Sequence, residues 1–458
     1  MLKYRLIFIL FFSLFSTVAW AQNDGMESNE FMRELYIERA KSNLELLAKH
    51  ESIRDYVVID DKGITILSSP KGAPEFKLFW YEATQFLKMC HGRSYHDMIQ
   101  FYNSKGTKPL SLPLEKRMND FWRFQPDDIK QLSIALDPGH FAKDWKSALQ
   151  EDKYIKVKAS DVGTEKDIEF YEAELTMATC QLVMDSLKKL QVQDVFLSHN
   201  NNESIVGKDF DQWFEEDFVK DTKMLMSTGE LSQGLGNKLL STKNKYRAFK
   251  YVYEYLDMVG RSRKINSQGP DVTLIVHYNA DENGQRLENN YWPVTDKNYS
   301  MTFVPGAFMY GELSKKDARV EFLRLLITPD LEESIRLSKF FLKEMEESLN
   351  VKPLTQEQES EMLKKSCIAT DVPGTYSRNL YMTRAIESPL LYIEALFQDN
   401  VDEVKVLGEK DLTVNGIKTN YRVLEVRDAI IASLLEWLKE NKAKKEAWSA
   451  QNMSDGSY

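Results

Sequence analysis

The spacing of apolar and polar positions predicts an α/β domain over most of the chain. Four short apolar runs with the pattern of buried strands lie at residues 133–136, 194–197, 272–276 and 388–393. A helical spacing of apolar positions fills 172–190, between the first two runs. Strands that alternate with helices favour a sheet covered on both faces. We therefore predict an α/β fold in which a sheet has helices on both faces, in three layers.

Two long stretches interrupt this pattern. Residues 200–257 are polar and acidic, with helical spacing in places and no strand-like run. Residues 282–377 contain one clear helical pattern, near 331–349. After the last predicted strand, an amphipathic helix is predicted over 423–441. We expect a domain at 129–445 with large helical insertions at about 200–257 and 282–377.

The region before this domain, residues 22–128, has a pattern of its own. Helical spacing is found over 31–47, and two apolar runs at 56–59 and 64–67 flank a polar turn, which predicts a hairpin. The apolar stretch 76–90 is predicted to be helical. We expect a small α+β region, which either forms its own domain or caps the main one.

The two ends of the chain differ in character. Residues 1–21 combine two early basic residues, a short apolar run and Ala-Trp-Ala at 19–21, which is the pattern of a secretory signal peptide. An uncleaved anchor is the alternative. No later apolar run is long enough to span a bilayer. We expect an exported protein, periplasmic or extracellular, that ends in a polar tail at 446–458.

The composition narrows the function classes. The 458 residues include 60 Lys and Arg against 70 Asp and Glu, a net charge of −10, which argues against a nucleic-acid partner. A hydrophobic fraction of 43% supports a sizeable core. The three cysteines, Cys90, Cys180 and Cys367, are too few for a disulfide scaffold and can form at most one pair. Cys180 lies in a helical pattern, where we expect a buried thiol.

Candidate chemistry is found at the ends of the predicted strands. His140 and His277 follow two of the buried strands, and Glu394 follows a third. Open α/β sheets bind ligands at the carboxyl ends of their strands. Two imidazoles with carboxylates would suit a catalytic zinc, which takes three protein ligands and keeps a fourth position open. A histidine at one strand end, taken alone, is more often structural.

Four motifs, in order, resemble those of the zinc-dependent N-acetylmuramoyl-L-alanine amidases, which hydrolyse peptidoglycan. The first is Ile-Ala-Leu-Asp-Pro-Gly-His at 134–140, and the second is Glu-Ala-Glu-Leu-Thr-Met-Ala at 172–178. The third is Leu-Ile-Val-His-Tyr-Asn-Ala at 274–280. The fourth joins 379–384 to Ser-Pro-Leu-Leu-Tyr-Ile-Glu at 388–394.

This resemblance implies roles for four residues. His140, Glu172 and His277 would bind Zn²⁺, which activates a water and polarises the scissile carbonyl. Glu394 would be the catalytic residue that moves the proton from that water to the leaving amine. The segment between His140 and Glu172 is longer than usual for the family, and its first residues lack the usual glycines.

Each acidic role has a rival. Glu165 and Glu174 compete with Glu172, but the chain length from Glu172 to the next strand fits one helix and one connection. Glu387 competes with Glu394, but Glu387 precedes the strand instead of ending it. His199 follows another strand and either lies near the site or has a surface or structural role.

The resemblance also implies a substrate and a form of control. The substrate would be peptidoglycan, cut between N-acetylmuramic acid and L-alanine. Some family members keep a helix over the zinc until a partner removes it, so we hypothesise that part of 282–377 gates the cleft and is the target of a protein activator. The alternative is that this stretch extends substrate contacts or packs as ordinary helix. Two other functions stay open: hydrolysis of another cell-wall peptide bond, and non-catalytic wall binding or regulation on the same fold.

Overall fold

The computed structural model describes most of the chain after its N-terminus. The described residues are 26–83, 86, 95–109, 126–200, 203–281 and 287–454. The predicted signal peptide and Cys90 lie outside them. Within these ranges, no helix has both the length and the apolar character needed to cross a membrane.

A mixed seven-stranded sheet forms the centre of the molecule. The described strands are β1 Val57–Ile59, β2 Gly63–Leu67, β3 Pro74–Phe79, β4 Ser133–Pro138, β5 Tyr154–Val157, β6 Ile168–Tyr171, β7 Asp194–Leu197, β8 Val272–Asn279, β9 Met301–Val304, β10 Cys367–Ala369, β11 Thr375–Arg378, β12 Leu390–Phe397, β13 Leu412–Val414 and β14 Ile417–Thr419. The central order is β10-β11-β9-β12-β8-β4-β7. Strands β12, β8, β4 and β7 run parallel, and β9 is antiparallel to β12.

Helices surround this sheet. They are α1 Met26–Leu47, α2 Glu51–Arg54, α3 Tyr95–Lys105, α4 Trp145–Glu151, α5 Ala159–Val162, α6 Glu172–Lys189, α7 Phe210–Glu216, α8 Phe218–Thr228, α9 Gln233–Thr242, α10 Lys245–Ala248, α11 Glu254–Gln268, α12 Lys316–Ile327, α13 Asp330–Leu349, α14 Glu361–Ser366, α15 Tyr381–Ala385, α16 Glu403–Gly408 and α17 Tyr421–Ser454. A π-helical turn, Phe249–Tyr253, joins α10 to α11.

Alternation along the strands divides the side chains of the sheet between two helical layers. Leu274 and Val276 of β8 belong to a core with α6, α13 and α17 on one face. Ile275 of the same strand belongs to a second core on the other face, with Ile265 of α11 and Met382 of α15. The predicted three-layer α/β fold is confirmed.

The four predicted strands of the core are present, and three of them, β4, β8 and β12, extend past their predicted ends. Strand β8 continues to Asn279 and β12 to Phe397. His277 and Glu394 therefore lie within strands, where we had expected them just beyond the strand ends.

Residues 282–377 build part of the sheet as well as helices. Strands β9, β10 and β11 come from this stretch, and α13 covers the sheet close to the predicted 331–349. These strands have only three or four residues each, too short for periodicity to separate them from loops or helix fragments.

Two predicted helices differ from the structure. Residues 76–79 belong to strand β3, because Phe76 and Leu78 alternate with more exposed positions and β3 pairs with β2. The last helix, α17, continues to Ser454, past the predicted end at 441.

The N-terminal α+β region is joined to the main domain by a shared core. Tyr36 and Phe76 of this region belong to the same buried cluster as Phe308 and Phe322. Helix α1 packs along α12, and the predicted hairpin is present as β1 and β2. This region lies beside β9 and β11, toward the β10 edge of the sheet.

Candidate metal centre

Three side chains from separate elements converge at the carboxyl ends of the parallel strands. His140 follows β4, Glu172 is the first residue of α6, and His277 lies near the end of β8. Each offers one ligand atom, and these three atoms lie within 4.8 Å of one another. The predicted ligand set is therefore brought together in space.

The atoms are arranged as a cation site requires. His140 Nε2 lies 3.3 Å from Glu172 Oε2, and His277 Nδ1 lies 3.1 Å from Glu172 Oε1. The two imidazole rings are nearly perpendicular, at 85°, with their centroids 4.9 Å apart. His140 Nε2 is buried and has no hydrogen-bond partner. A buried imidazole nitrogen without a hydrogen-bond partner fits a nitrogen that binds a metal ion.

Electrostatics keep the central carboxylate charged. Burial opposes ionisation of Glu172, but the charges of His140 and Lys153 outweigh it and hold the pKa of Glu172 well below its usual range. Burial lowers the pKa of His277 to about 4, so its imidazole is neutral and can act as a ligand.

Backbone contacts fix Glu172 in place. Its amide N donates to the Lys153 carbonyl at 3.2 Å, and its Oε1 accepts from the Tyr278 amide at 3.1 Å. Gln398 Nε2 lies 3.5 Å from the other carboxylate oxygen. The carboxylate is therefore aimed into the site by the chain on both sides of it.

Gly139 permits the close approach of the two histidine-bearing strands. A Cβ atom at Gly139 would lie 2.4 Å from the ring of His277. The Gly139 amide donates to the Val276 carbonyl at 2.9 Å, and Thr176 Oγ1 donates to the Gly139 carbonyl at 2.6 Å. The Asp-Pro-Gly-His sequence thus needs glycine at its third position.

Glu394 lies next to this cluster. It is the register partner of His277 across the parallel β8–β12 pair, so the two side chains are on the same face of the sheet. Burial and the negative charge of Glu172 raise the pKa of Glu394 to about 8. Tyr392 stacks on His277, with ring centroids 4.9 Å apart. A protonatable carboxyl group therefore faces the same space as the ligand atoms.

A buried polar network supports the strand ends. Arg261 Nη1 lies 3.0 Å from Asp137 Oδ2, and Arg261 Nε lies 2.8 Å from Asp257 Oδ2. His199 is buried, and its Nε2 donates to the His140 carbonyl at 3.1 Å. Burial lowers the pKa of His199 to about 4. His199 therefore supports the backbone of a candidate ligand and faces away from solvent.

The rival acidic residues lie elsewhere. Glu165 is exposed in the connection between β5 and β6. Glu174 pairs with Lys410 at 2.9 Å. Glu387 precedes β12, at the opposite end of the strand from Glu394.

The structure also brings two residues to the site that the sequence reasoning missed. Glu151 ends α4, and its Oε1 lies 3.7 Å from His140 Nδ1. Lys153 Nζ lies 3.8 Å from Glu172 Oε2. Both lie in the segment between His140 and Glu172, in which the sequence reasoning named no site residue.

The helical segment 203–257 packs beside His140. Its core is a cluster of aromatic rings, and Trp213 at its centre is fully buried. Phe141 joins this cluster, with its ring centroid 6.1 Å from Phe249 and 5.8 Å from Tyr253. The residue after a candidate ligand is therefore anchored in the segment.

Cys180 and Cys367 are both buried, and neither forms a disulfide bond among the described residues. The buried thiol expected at Cys180 is confirmed.

Comparison with known proteins identifies one family model that matches this chain. A family model described as N-acetylmuramoyl-L-alanine amidase matches residues 134–420, a range that contains all four candidate site residues. A search of the curated proteins found no match. Among solved structures, the CwlD amidase from Clostridioides difficile, in complex with the GerS lipoprotein, has 14% identity and a TM-score of 0.35, over 68% of this chain and 99% of that chain. The N-acetylmuramyl-L-alanine amidase Ami1 from Mycobacterium smegmatis has 13% identity and a TM-score of 0.35, over 68% and 99%.

Proposed function

This chain belongs to the N-acetylmuramoyl-L-alanine amidase family, and we propose that it is a zinc-dependent enzyme that hydrolyses the amide bond between N-acetylmuramic acid and L-alanine in peptidoglycan. One observation carries the proposal: His140, Glu172 and His277 converge, with Glu394 on the same face beside them. A metal site with an adjacent protonatable carboxyl group is one arrangement that can hydrolyse an unactivated amide.

The donor set supports zinc as the metal. Two imidazole nitrogens and one carboxylate oxygen are a three-ligand set typical of catalytic zinc, which leaves a fourth position open. When bound, zinc would polarise the scissile carbonyl and lower the pKa of a water molecule.

Glu394 would carry the proton. Its carboxylate accepts a proton from the attacking water and then donates it to the leaving nitrogen. A raised pKa, about 8, suits a group that must both take up and release a proton near neutrality. The attacked carbonyl belongs to the lactyl group of muramic acid, and the products are a glycan strand and a peptide that begins with L-alanine.

We further propose that the protein acts outside the cytoplasm. The N-terminal pattern of residues 1–21 supports export by a secretory signal peptide, and a peptidoglycan substrate lies in the same compartment. N-terminal sequencing of the protein from its native host tests this, with a mature start at Gln22 as the expected result.

The main alternatives differ in the bond that is cut or in whether any bond is cut. A zinc hydrolase of another cell-wall peptide bond would use the same metal site. A non-catalytic wall-binding protein would have no use for Glu394. The pairing of a buried carboxyl group with the ligand cluster therefore favours an enzyme.

Clearing of purified peptidoglycan by three matched proteins tests the proposal. We expect Glu394→Gln to clear peptidoglycan about 10²–10⁴-fold more slowly than wild type, because glutamine cannot carry the proton but keeps the shape of the side chain. Glu387→Gln is the control, because it changes a half-buried glutamate at the other end of the same strand. Equal clearing by Glu394→Gln and wild type would contradict the mechanism, and removal of the metal with a chelator should stop clearing until zinc is restored.

Gating by part of 282–377, with release by a protein activator, stays a prediction. Strands β9 to β11 belong to the sheet, so a gate would have to come from the remaining parts, of which the acidic segment 356–361 is one. Deletion of 356–361 should raise basal wall clearing if this segment restricts the cleft. Unchanged basal clearing would count against gating by this segment.

A further inference from the structure

His140 has a left-handed backbone conformation that other residues must stabilise. His140 has φ of 69°, in the left-handed region that disfavours side chains other than glycine. The peptide bond that follows it is held by Glu151, whose Oε1 accepts a hydrogen bond from the Phe141 amide at 3.2 Å. A buried carboxylate therefore fixes the turn that aims the imidazole.

The same carboxylate faces the imidazole ring. His140 turns Nε2 toward Glu172, at 3.3 Å, and Nδ1 toward Glu151 Oε1, at 3.7 Å. A histidine that binds metal through one nitrogen keeps its proton on the other, and a carboxylate near that N–H fixes the tautomer and the ring orientation. The His140 ring thus lies between the Glu172 carboxylate, which belongs to the candidate ligand set, and the Glu151 carboxylate, which does not.

Glu151 is itself held in place. It is 1% exposed, and its Oε2 is buried without a hydrogen-bond partner. Lys250, from the helical segment 203–257, donates to the Glu151 carbonyl at 3.0 Å. Two residues further on, the Lys153 carbonyl accepts from the Glu172 amide at 3.2 Å. Helix α4 and the residues after it therefore contact the backbone or side chain of two candidate ligands.

We propose that Glu151 is a positioning residue for the candidate metal ligand His140. Its carboxylate holds the left-handed turn through the Phe141 amide and places a negative charge on the Nδ1 side of the imidazole. This inference rests on the proposed metal site.

Zinc affinity of the metal-free full chain tests the role, measured by competition with a chromophoric chelator. Glu151→Gln keeps an acceptor for the Phe141 amide and removes the charge, so we expect zinc binding about 10–100-fold weaker. Glu169→Gln is the matched control, because Glu169 lies on the surface of the same connection and pairs with Lys156. The control should bind zinc within twofold of wild type.

A second variant and a second readout separate positioning from general stability. Glu151→Asp keeps the charge and withdraws it by one methylene, so its zinc affinity should fall between those of Glu151→Gln and wild type. The unfolding temperature of each metal-free variant shows whether it is folded. Zinc affinity equal to wild type in a folded Glu151→Gln protein overturns the inference. If that variant does not fold, equal affinity in Glu151→Asp overturns it. Absence of stoichiometric zinc binding in wild type would instead overturn the proposed function.

Discussion

Two additions to the sheet have different contacts. Helix α4 and residues 203–257 lie next to a candidate ligand: Glu151 ends α4, and the later segment contacts both Phe141 and Glu151. The N-terminal region lies toward the β10 edge, where it shares apolar core with α12 and the loop after β9. The described contacts connect the first addition directly to the candidate metal site, and they connect the N-terminal region to the apolar core away from that site.

This difference suggests a division of roles. Changes near His140 should alter metal binding and catalysis as well as stability. Changes where the N-terminal region packs should alter stability and leave the zinc affinity of folded molecules unchanged. Four predictions test this division, from the largest expected effect to the smallest.

Loss of a ligand should give the largest effect. We expect His277→Ala to weaken zinc binding by more than the roughly 100-fold that is typical for loss of a residue that only supports a ligand. His199→Ala removes a buried histidine that contacts the His140 carbonyl, so its loss of zinc affinity should be no more than about 100-fold. Zinc titration of both proteins measures the difference, and similar affinities would contradict the assignment of His277 as a ligand.

Two buried phenylalanines offer a matched comparison of the two additions. Phe249 in the helical segment is 2% exposed, and Phe308 at the N-terminal junction is 0% exposed. Each change to Ala should lower the free energy of unfolding by about 3–5 kcal/mol, because it leaves a cavity. Only Phe249→Ala should also weaken zinc binding, since its ring contacts Phe141.

Chemical denaturation and zinc titration of the same two samples give both quantities. Equal zinc affinity for the two variants would remove the distinction between the additions.

A half-buried acid at the opposite end of β12 from Glu394 should make stability depend on pH. Burial raises the pKa of Glu387 to about 7 from its usual 4.5. The folded state therefore binds a proton on Glu387 more tightly than the unfolded state does. The stabilisation that this proton gives is fully present below pH 4.5 and is lost as the pH rises through 7. The stability of Glu387→Gln relative to wild type should therefore increase as the pH is raised from 4 to 8. The expected increase is on the order of 2 kcal/mol, after allowance for the partial exposure of Glu387.

Urea denaturation of wild type and Glu387→Gln at the two pH values measures this change. A constant difference between the two proteins would show that Glu387 does not titrate in this range.

The smallest effect is expected at Lys250. Lys250→Ala removes the hydrogen bond to the Glu151 carbonyl and the ion pair with Glu254, so stability should fall by about 1 kcal/mol or less. Zinc affinity should fall by only a few fold, because Glu151 keeps its own contacts. Lys245→Ala, in the same segment, is the control, since Lys245 pairs with Asp211 on the surface. A larger loss of affinity in the control would contradict this part of the account.

The sequence was sufficient where a local pattern and a motif agreed. Strand β4 with His140 and helix α6 with Glu172 follow from periodicity, and chain length favoured Glu172, which lies beside the two histidines, over Glu165. Strands β9 to β11 were missed because each is three or four residues long and is stabilised by pairing with distant parts of the chain.

Glu151 and Lys153 show why part of the site could not be predicted. Both reach the ligands only because α4 and the β5–β6 hairpin fold back over the strand ends. No motif marks them, and nothing in their local sequence separates them from surface charges. Tertiary contacts of this kind are outside the reach of spacing arguments.

End-group analysis of digested peptidoglycan tests the central claim most directly. Purified wall treated with the zinc-loaded protein should gain new amino termini of L-alanine, with free lactyl carboxyl groups on the glycan. The Glu394→Gln protein and the metal-stripped protein should release almost none. New amino termini of another residue would contradict the assigned bond, and equal release by Glu394→Gln would contradict the assigned mechanism.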